Sequence, residues 1–275
     1  MRIDSFTWSR KPVNQDGMAT GERIFAVCDG VTPLASDAAG PSAVADYAHT
    51  LADALTSCPV GSITMQGMRG HLQQALDRAS AATGGSGAQS TMALVTWDDS
   101  KLGVAVCGDS PVVIDRAGQI TVLSDPLFST GFWDLPAADR RRICAGCGDI
   151  TDLYTRLHED SVSERATRNR PGGRWIAASG VDSRAVAAVA RVVVVPLAGI
   201  DRVAAMSDGM QVPVEHLCLA GYGDILFACG HGSLGRLHQR ADSLELADPH
   251  RRTHPRPSHR DDATIIMASM GPPAH

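Results

Sequence analysis

Several apolar runs in this 275-residue chain begin or end on aspartate. Asp29 closes IFAVCDG, Asp109 closes VAVCGDS, Asp208 closes RVAAMSDG, Asp261 and Asp262 open RDDATIIMAS, and Asp16 stands in NQDG just upstream of the first run. A carboxylate at the rim of a buried strand loses hydration, and several brought together repel one another, so their convergence calls for a cation. Carboxylate and carbonyl oxygens are hard ligands, suited to Mg²⁺ or Mn²⁺ and not to zinc. Two such ions sharing one carboxylate can hold a water, lower its pKa and aim it at an electrophile. Gly30, without a side chain, would let its own carbonyl approach a metal. Taken singly, each Asp-Gly or Asp-Ser pair reads as an ordinary turn.

The elements that must position these residues are short. Ile24 to Cys28 reads as a continuous buried strand, and after the loop VTPLASDAAG, Pro41 opens a helix with Val44, Tyr47, Ala48, Leu51 and Leu55 at helical spacing. A second helix is expected from Met65 to Ala82. The period then changes: QSTMALVTW, KLGVAVCG, PVVIDR and QITVLS are strand-like runs separated by short turn signals, an antiparallel meander. Residues 136 to 168 read as helical, RNRPGGR as a loop, and RWIAAS, ARVVVVPL and RVAAMS as strands. Two helices are expected in 213 to 247, then an irregular tract DPHRRTHPRPSHR and a closing strand ATIIMAS. Strands grouped between helical pairs exclude the alternation of a parallel doubly wound sheet.

Composition sets the remaining bounds. With 44% hydrophobic and 20% charged residues and a formal net charge of −5, the chain is an ordinary globular sequence with no electrostatic bias toward nucleic acid or an anionic membrane. MRIDSFTWSRKPVNQDG is polar throughout, and the longest apolar stretch, AVAAVARVVVVPLAGI, is broken by Arg191 and Pro196, so a cytoplasmic monomer is expected. Seven cysteines lie mostly in apolar runs, as free thiols of a reducing compartment would. Cys144 and Cys147 form one C-x-x-C, but only His158 is near enough to join them and the flanks RRICAGCGD read as a helix end, which argues against zinc and against a thioredoxin-type turn. GGSGAQSTM lacks the Gly-Lys-Ser/Thr ending of a nucleotide loop. Trp97 and Trp175 are expected in the core. Arg168 and Arg170, and the run of Arg251, Arg252, Arg256 and Arg260, could bind phosphate, although charge runs usually face water; Arg260 adjoins Asp261.

In order and context, NQDG, FAVCDG, GDSPVV, MSDGM and DDATII resemble the motifs of the type 2C, metal-dependent protein phosphatases, from about Asn14 to Ala268. The resemblance implies an α/β (α+β) fold: a four-layer sandwich of two antiparallel sheets flanked by helices on both outer faces, here a single domain over residues 1–275 with a variable flap at about 126–172. It implies hydrolysis of phosphoserine and phosphothreonine at a binuclear Mg²⁺ or Mn²⁺ centre. Asp29 would bridge the ions, Gly30 would add its carbonyl, Asp208 and Asp261 would complete the first site, Asp16 would serve the second ion or its waters, and Asp109 would serve a weaker third. Gln15 stands where some members have Glu, and Asp262 where many have Asn, which makes it a supporting residue. Val31 and Thr32 replace the His or Met and Gly that follow Asp-Gly in many members, so a histidine general acid is missing there. The arginine that usually holds phosphate is matched only by Lys11, which fits the spacing, or Arg10. Two alternatives stay open: the same chemistry on a small phosphorylated metabolite, or a non-catalytic regulatory module, against which the retained aspartates argue.

Overall fold

The computed structural model describes residues 1–33, 39–57, 60–128 and 131–270. Its strands are β1 (Arg2–Trp8), β2 (Asp16–Gly21), β3 (Ile24–Asp29), β4 (Gln89–Ser90), β5 (Met92–Trp97), β6 (Lys101–Cys107), β7 (Val112–Arg116), β8 (Gln119–Leu123), β9 (Ala177–Ala178), β10 (Arg191–Pro196), β11 (Ile200–Met206) and β12 (Ala263–Ser269). The helices are α1 (Pro41–Ser57), α2 (Met65–Ala82), α3 (Ala137–Gly146), α4 (Ile150–Thr167), α5 (Ser183–Val189), α6 (Tyr222–Gly230) and α7 (Leu234–Ala247). One sheet has the order β1-β12-β11-β7-β8 and the other β10-β6-β5-β3-β2, with antiparallel pairing throughout, and β4 and β9 form a two-residue ladder.

The apolar run of β3 is continuous because both of its faces are covered. Phe25 and Val27 point into the core between the sheets, beside Val203, Ala205, Ile266 and Ala268, while Ile24, Ala26 and Cys28 face α1 and α2. β11 and β12 alternate in the same way: Ala204, Met206, Ile265 and Met267 turn outward to Ile225, Leu226 and Leu234 of α6 and α7. Helices, sheet, sheet and helices thus stack in four layers, the expected sandwich. Trp97 is buried in the inter-sheet core, and Trp175 packs half-buried against the α1–α2 layer.

Some expectations need correction. The polar opening contains an edge strand, β1, whose Ser5, Phe6 and Thr7 pair with Ile266, Ile265 and Thr264. RWIAAS contributes only the two residues of β9, and between it and the strand ARVVVVPL lies a helix the sequence reading did not assign, α5, capped by Asp182, whose side chain accepts from Arg184 N and Ala185 N. Residues 136–168 are two helices broken at Cys147, which caps α3, with Cys144 buried one turn earlier. The tract after α7 is no solvated loop throughout. Arg256 is 1% exposed, paired with Glu245 at 3.3 Å and Asp248 at 3.4 Å, and Arg251 stacks over Tyr154 of α4 at 3.8 Å. The loop VTPLASDAAG falls partly outside the described residues. Among the described residues no helix is long and apolar enough to cross a membrane.

Candidate active site

The β2–β3 hairpin places Asp16 directly across from Asp29. β11 ends beside β12's beginning, so Asp208 and the Asp261–Asp262 pair reach the same rim from the other sheet; Asp208 N lies 3.4 Å from Asp29 Oδ2. Asp109 follows β6 and keeps contact with solvent in the cleft, its carbonyl accepting from Gln211 Nε2 at 2.9 Å. The structure therefore brings Asp16, Asp29, Asp109, Asp208 and Asp261 together.

Their neighbours explain how the rim is held. Ser207 Oγ donates to Asp16 Oδ2 at 2.8 Å and accepts from Thr264 N at 2.9 Å, locking the two sheets at this edge. Asp262 is 1% exposed; it accepts from Gln15 N at 3.0 Å and from Ser9 Oγ at 2.5 Å, which ties β12 to the chain entering β2. Ser9 and Ser207 were invisible as site residues in the sequence, since a lone serine beside a strand end carries no spacing signal. Gly30 is extended, bridging to Ser90, with its N–H donating to Gln15 O at 3.1 Å.

The electrostatics of this rim favour a cation. Burial first, then the charges of Asp208, Asp16, Asp261 and Asp109, lift the Asp29 carboxyl well above the ordinary range. Asp208 is raised by burial and by Asp261 and Asp109. Asp16 is pushed up to about 7 by burial, against the hydrogen bonds of Ser207 and Thr264. Asp109 is raised as well, by the protein packed around it despite its contact with solvent, and Arg168 pulls the other way. Asp16 Oδ1 and Asp208 Oδ1 are buried without a hydrogen-bond partner, a costly state for an anionic oxygen unless an ion meets it. The donor set is all oxygen, as Mg²⁺ or Mn²⁺ requires. Among the described residues no three His, Cys, Asp or Glu side chains already close into a metal cage; the Lys11 ammonium occupies this edge, 2.5 Å from Asp261 Oδ1 and 3.3 Å from Asp262 Oδ2. The residues fit a cation, and Lys11 is the one their own chain provides. Arg10 is elsewhere, paired with Asp242 of α7 and stacked on Trp8 at 5.6 Å.

Asp29, Gly30, Asp109, Asp208 and Asp261 floor an open cleft of about 1270 Å³. Its opposite wall is α4 with the turn Gly131–Asp134, where Trp133 lies 6.2 Å from both Tyr154 and His216. Arg140, 2% exposed, holds this wall by donating to the carbonyls of Trp133 at 2.6 Å, Leu135 at 2.8 Å and Glu215. Arg165 Nη1 donates to Thr32 O at 2.8 Å, joining α4 to the loop after Gly30. Arg168 lies on the cleft wall beside Glu164, Arg170 is exposed outside it, and Arg252 and Arg260 are exposed.

No family model matches the chain, and no curated protein matches it in sequence. Solved structures do match its architecture. The serine/threonine phosphatase Stp1 from Staphylococcus aureus is 14% identical over 98% of this chain and 95% of that one, with a TM-score of 0.56. The Mycobacterium tuberculosis serine/threonine phosphatase PstP/Ppp is 16% identical over 98% and 97%, with a TM-score of 0.58. The catalytic domain of PstP in complex with two manganese ions is 18% identical over 98% and 97%, with a TM-score of 0.53. At such identity the likeness establishes the fold: this chain has the two-sheet sandwich of the bacterial serine/threonine phosphatases.

Proposed function

We propose that the chain is a metal-dependent phosphomonoesterase that removes phosphate from phosphoserine and phosphothreonine in proteins. The observation that carries this reading is the convergence of Asp16, Asp29, Asp208 and Asp261 from separate strand ends, with buried oxygens of Asp16 and Asp208 unpartnered, in a fold shared with a phosphatase structure that holds two manganese ions. Asp29 would bridge two ions, with the Gly30 carbonyl, Asp208 and Asp261 on the first, Asp16 on the second or its waters, and Asp109 on a weaker third. Bound there, Mg²⁺ or Mn²⁺ would supply a water of lowered pKa and positive charge for the phosphoryl group. The chain's own residues do the positioning: Ser207 fixes the Asp16 carboxylate, and Asp262 fixes the backbone before Asp16.

The test is hydrolysis of an aryl phosphate with Mn²⁺, followed by phosphopeptides against phosphorylated metabolites. Asp29→Asn and Asp208→Asn are expected to abolish turnover while circular dichroism stays unchanged. Activity that survives chelation overturns the reading. Asp109→Ala should lower turnover at limiting metal and spare the tightest binding; full activity there contradicts the third-site role. The flat surfaces of Trp133, Tyr154 and His216 along the cleft favour one second reading, the same chemistry on a small metabolite, and a phosphorylated metabolite preferred over every phosphopeptide would select it.

A further inference from the structure

The cleft needs a cation for the phosphoryl oxygens that face away from the aspartates, and neither N-terminal candidate is on its wall. Lys11 is engaged by Asp261 and Asp262, and Arg10 by Asp242. Five arginines do line the cleft: Arg140, Arg165, Arg168, Arg174 and Arg251. Arg140 is committed to three carbonyls, Arg165 to Thr32 O, Arg168 to Glu164, and Arg251 to the carbonyls of Arg256 and Pro257. Arg174 alone of the five has no acceptor or acid for its guanidinium among the described residues. It lies over Phe128, 5.4 Å from the ring centroid, and Arg168 lies over the same ring at 5.7 Å.

The turn that carries Arg174 is built to hold it. Asn169 takes φ 58° and Gly172 φ 84°. Asn169 N donates to Arg174 O at 2.7 Å, and Asn169 Oδ1 accepts from Ile176 N at 2.8 Å. A Cβ on Gly173 would collide with the Thr167 carbonyl, so the loop closes tightly against the end of α4. Such bracing lowers the entropic cost of using a long side chain for recognition, and a guanidinium stacked on a ring keeps its fork free for two oxygens.

The geometry points to Arg174, steadied on Phe128 beside Arg168, as the group that binds the substrate's phosphoryl oxygens in this cleft. This rests on the phosphatase reading but is separable from it. Inorganic phosphate, followed by ³¹P NMR against the Mg²⁺-loaded protein, is the probe. Arg174→Met keeps the stem over Phe128 and removes the charge, Arg174→Lys keeps a point charge, and Arg174→Glu reverses the sign should the Met variant not fold. Phosphate binding is expected to weaken about tenfold or more in Arg174→Met and to recover in part in Arg174→Lys, with KM for an aryl phosphate rising in step and kcat within about twofold. Phosphate bound by Arg174→Met or Arg174→Glu as by the wild type overturns the assignment, as does a wild type that binds no phosphate. A defect confined to phosphopeptides with acidic neighbours, free phosphate binding being unchanged, also overturns it. A wild type that binds phosphate through Arg174 and hydrolyses no phosphoester refutes the phosphatase reading and leaves this one standing.

Discussion

A Cβ on Gly30 would stand 2.6 Å from both the Gln15 carbonyl oxygen and Val44 Cγ1. The glycine after Asp29 is therefore required by close approach of β2 and α1, and not by the positive φ of a tight turn, which was the simple reading of that pair. Gly30→Ala is expected to cost about 1–3 kcal/mol by overpacking, measured by chemical denaturation, and to weaken metal binding because Asp29 shifts with its neighbour. The aspartates themselves make a pH prediction. A carboxyl whose pKa is raised on folding penalises the folded state once it ionises, so the stability is present at low pH and is lost as pH rises. For Asp16 the window runs from 3.8 to about 7, and Asp29 and Asp208 act in the same direction. Melting in chelator should therefore fall across this range, Asp208→Asn should flatten the fall, and Mn²⁺ should remove it. A chelated wild type whose melting temperature rises from acid to neutral pH would contradict the electrostatic account of the cluster.

At the scale of elements, the closing loop and the cleft wall are braced by buried arginines. Arg256 satisfies Glu245, Asp248 and the carbonyls of Glu245, Asp248 and His254, so Arg256→Ala removes the cation from the half-buried Glu245 and leaves three carbonyls without their donor, although Asp248 keeps the N–H groups of Arg252 and His254, and should cost about 3–5 kcal/mol, read by denaturation. It should also loosen metal binding, because this loop delivers Asp261. A loss below about 1 kcal/mol would mean that Arg256 is not the loop's anchor. In sequence Arg256 sat within a basic run and looked solvated, since Glu245 lies on α7 and Asp248 at its end, eleven and eight positions back, a spacing that no regular element makes adjacent. β1 escaped notice for a related reason: an edge strand with one face half-exposed keeps polar residues such as Arg2, Asp4 and Ser5 and shows no apolar run. α5 was hidden because its small apolar residues run straight into β10, although Asp182 offered a usable cap signal.

Across the whole molecule, the two sheets and their outer helices were legible because strands buried on both faces spell continuous apolar runs, and α1 and α2 keep helical spacing. Asp29, Asp109, Asp208 and Asp261 were legible for the same reason, standing at the ends of such runs, while Asp16 was singled out by NQDG just upstream of the first run. What spacing could not disclose was which basic group meets which acid. That depends on contacts between distant segments, as with Lys11 and Asp261, separated by 250 positions. The central claim is that the rim where the two sheets meet is a divalent-cation site, and calorimetric titration of Mn²⁺ into the chelator-stripped protein tests it most directly. The account predicts saturable binding of two ions by the wild type, with the tighter site lost in both Asp29→Asn and Asp208→Asn while each variant remains folded. A wild type that takes up no divalent cation, or Mn²⁺ affinity unchanged in both variants, would contradict it.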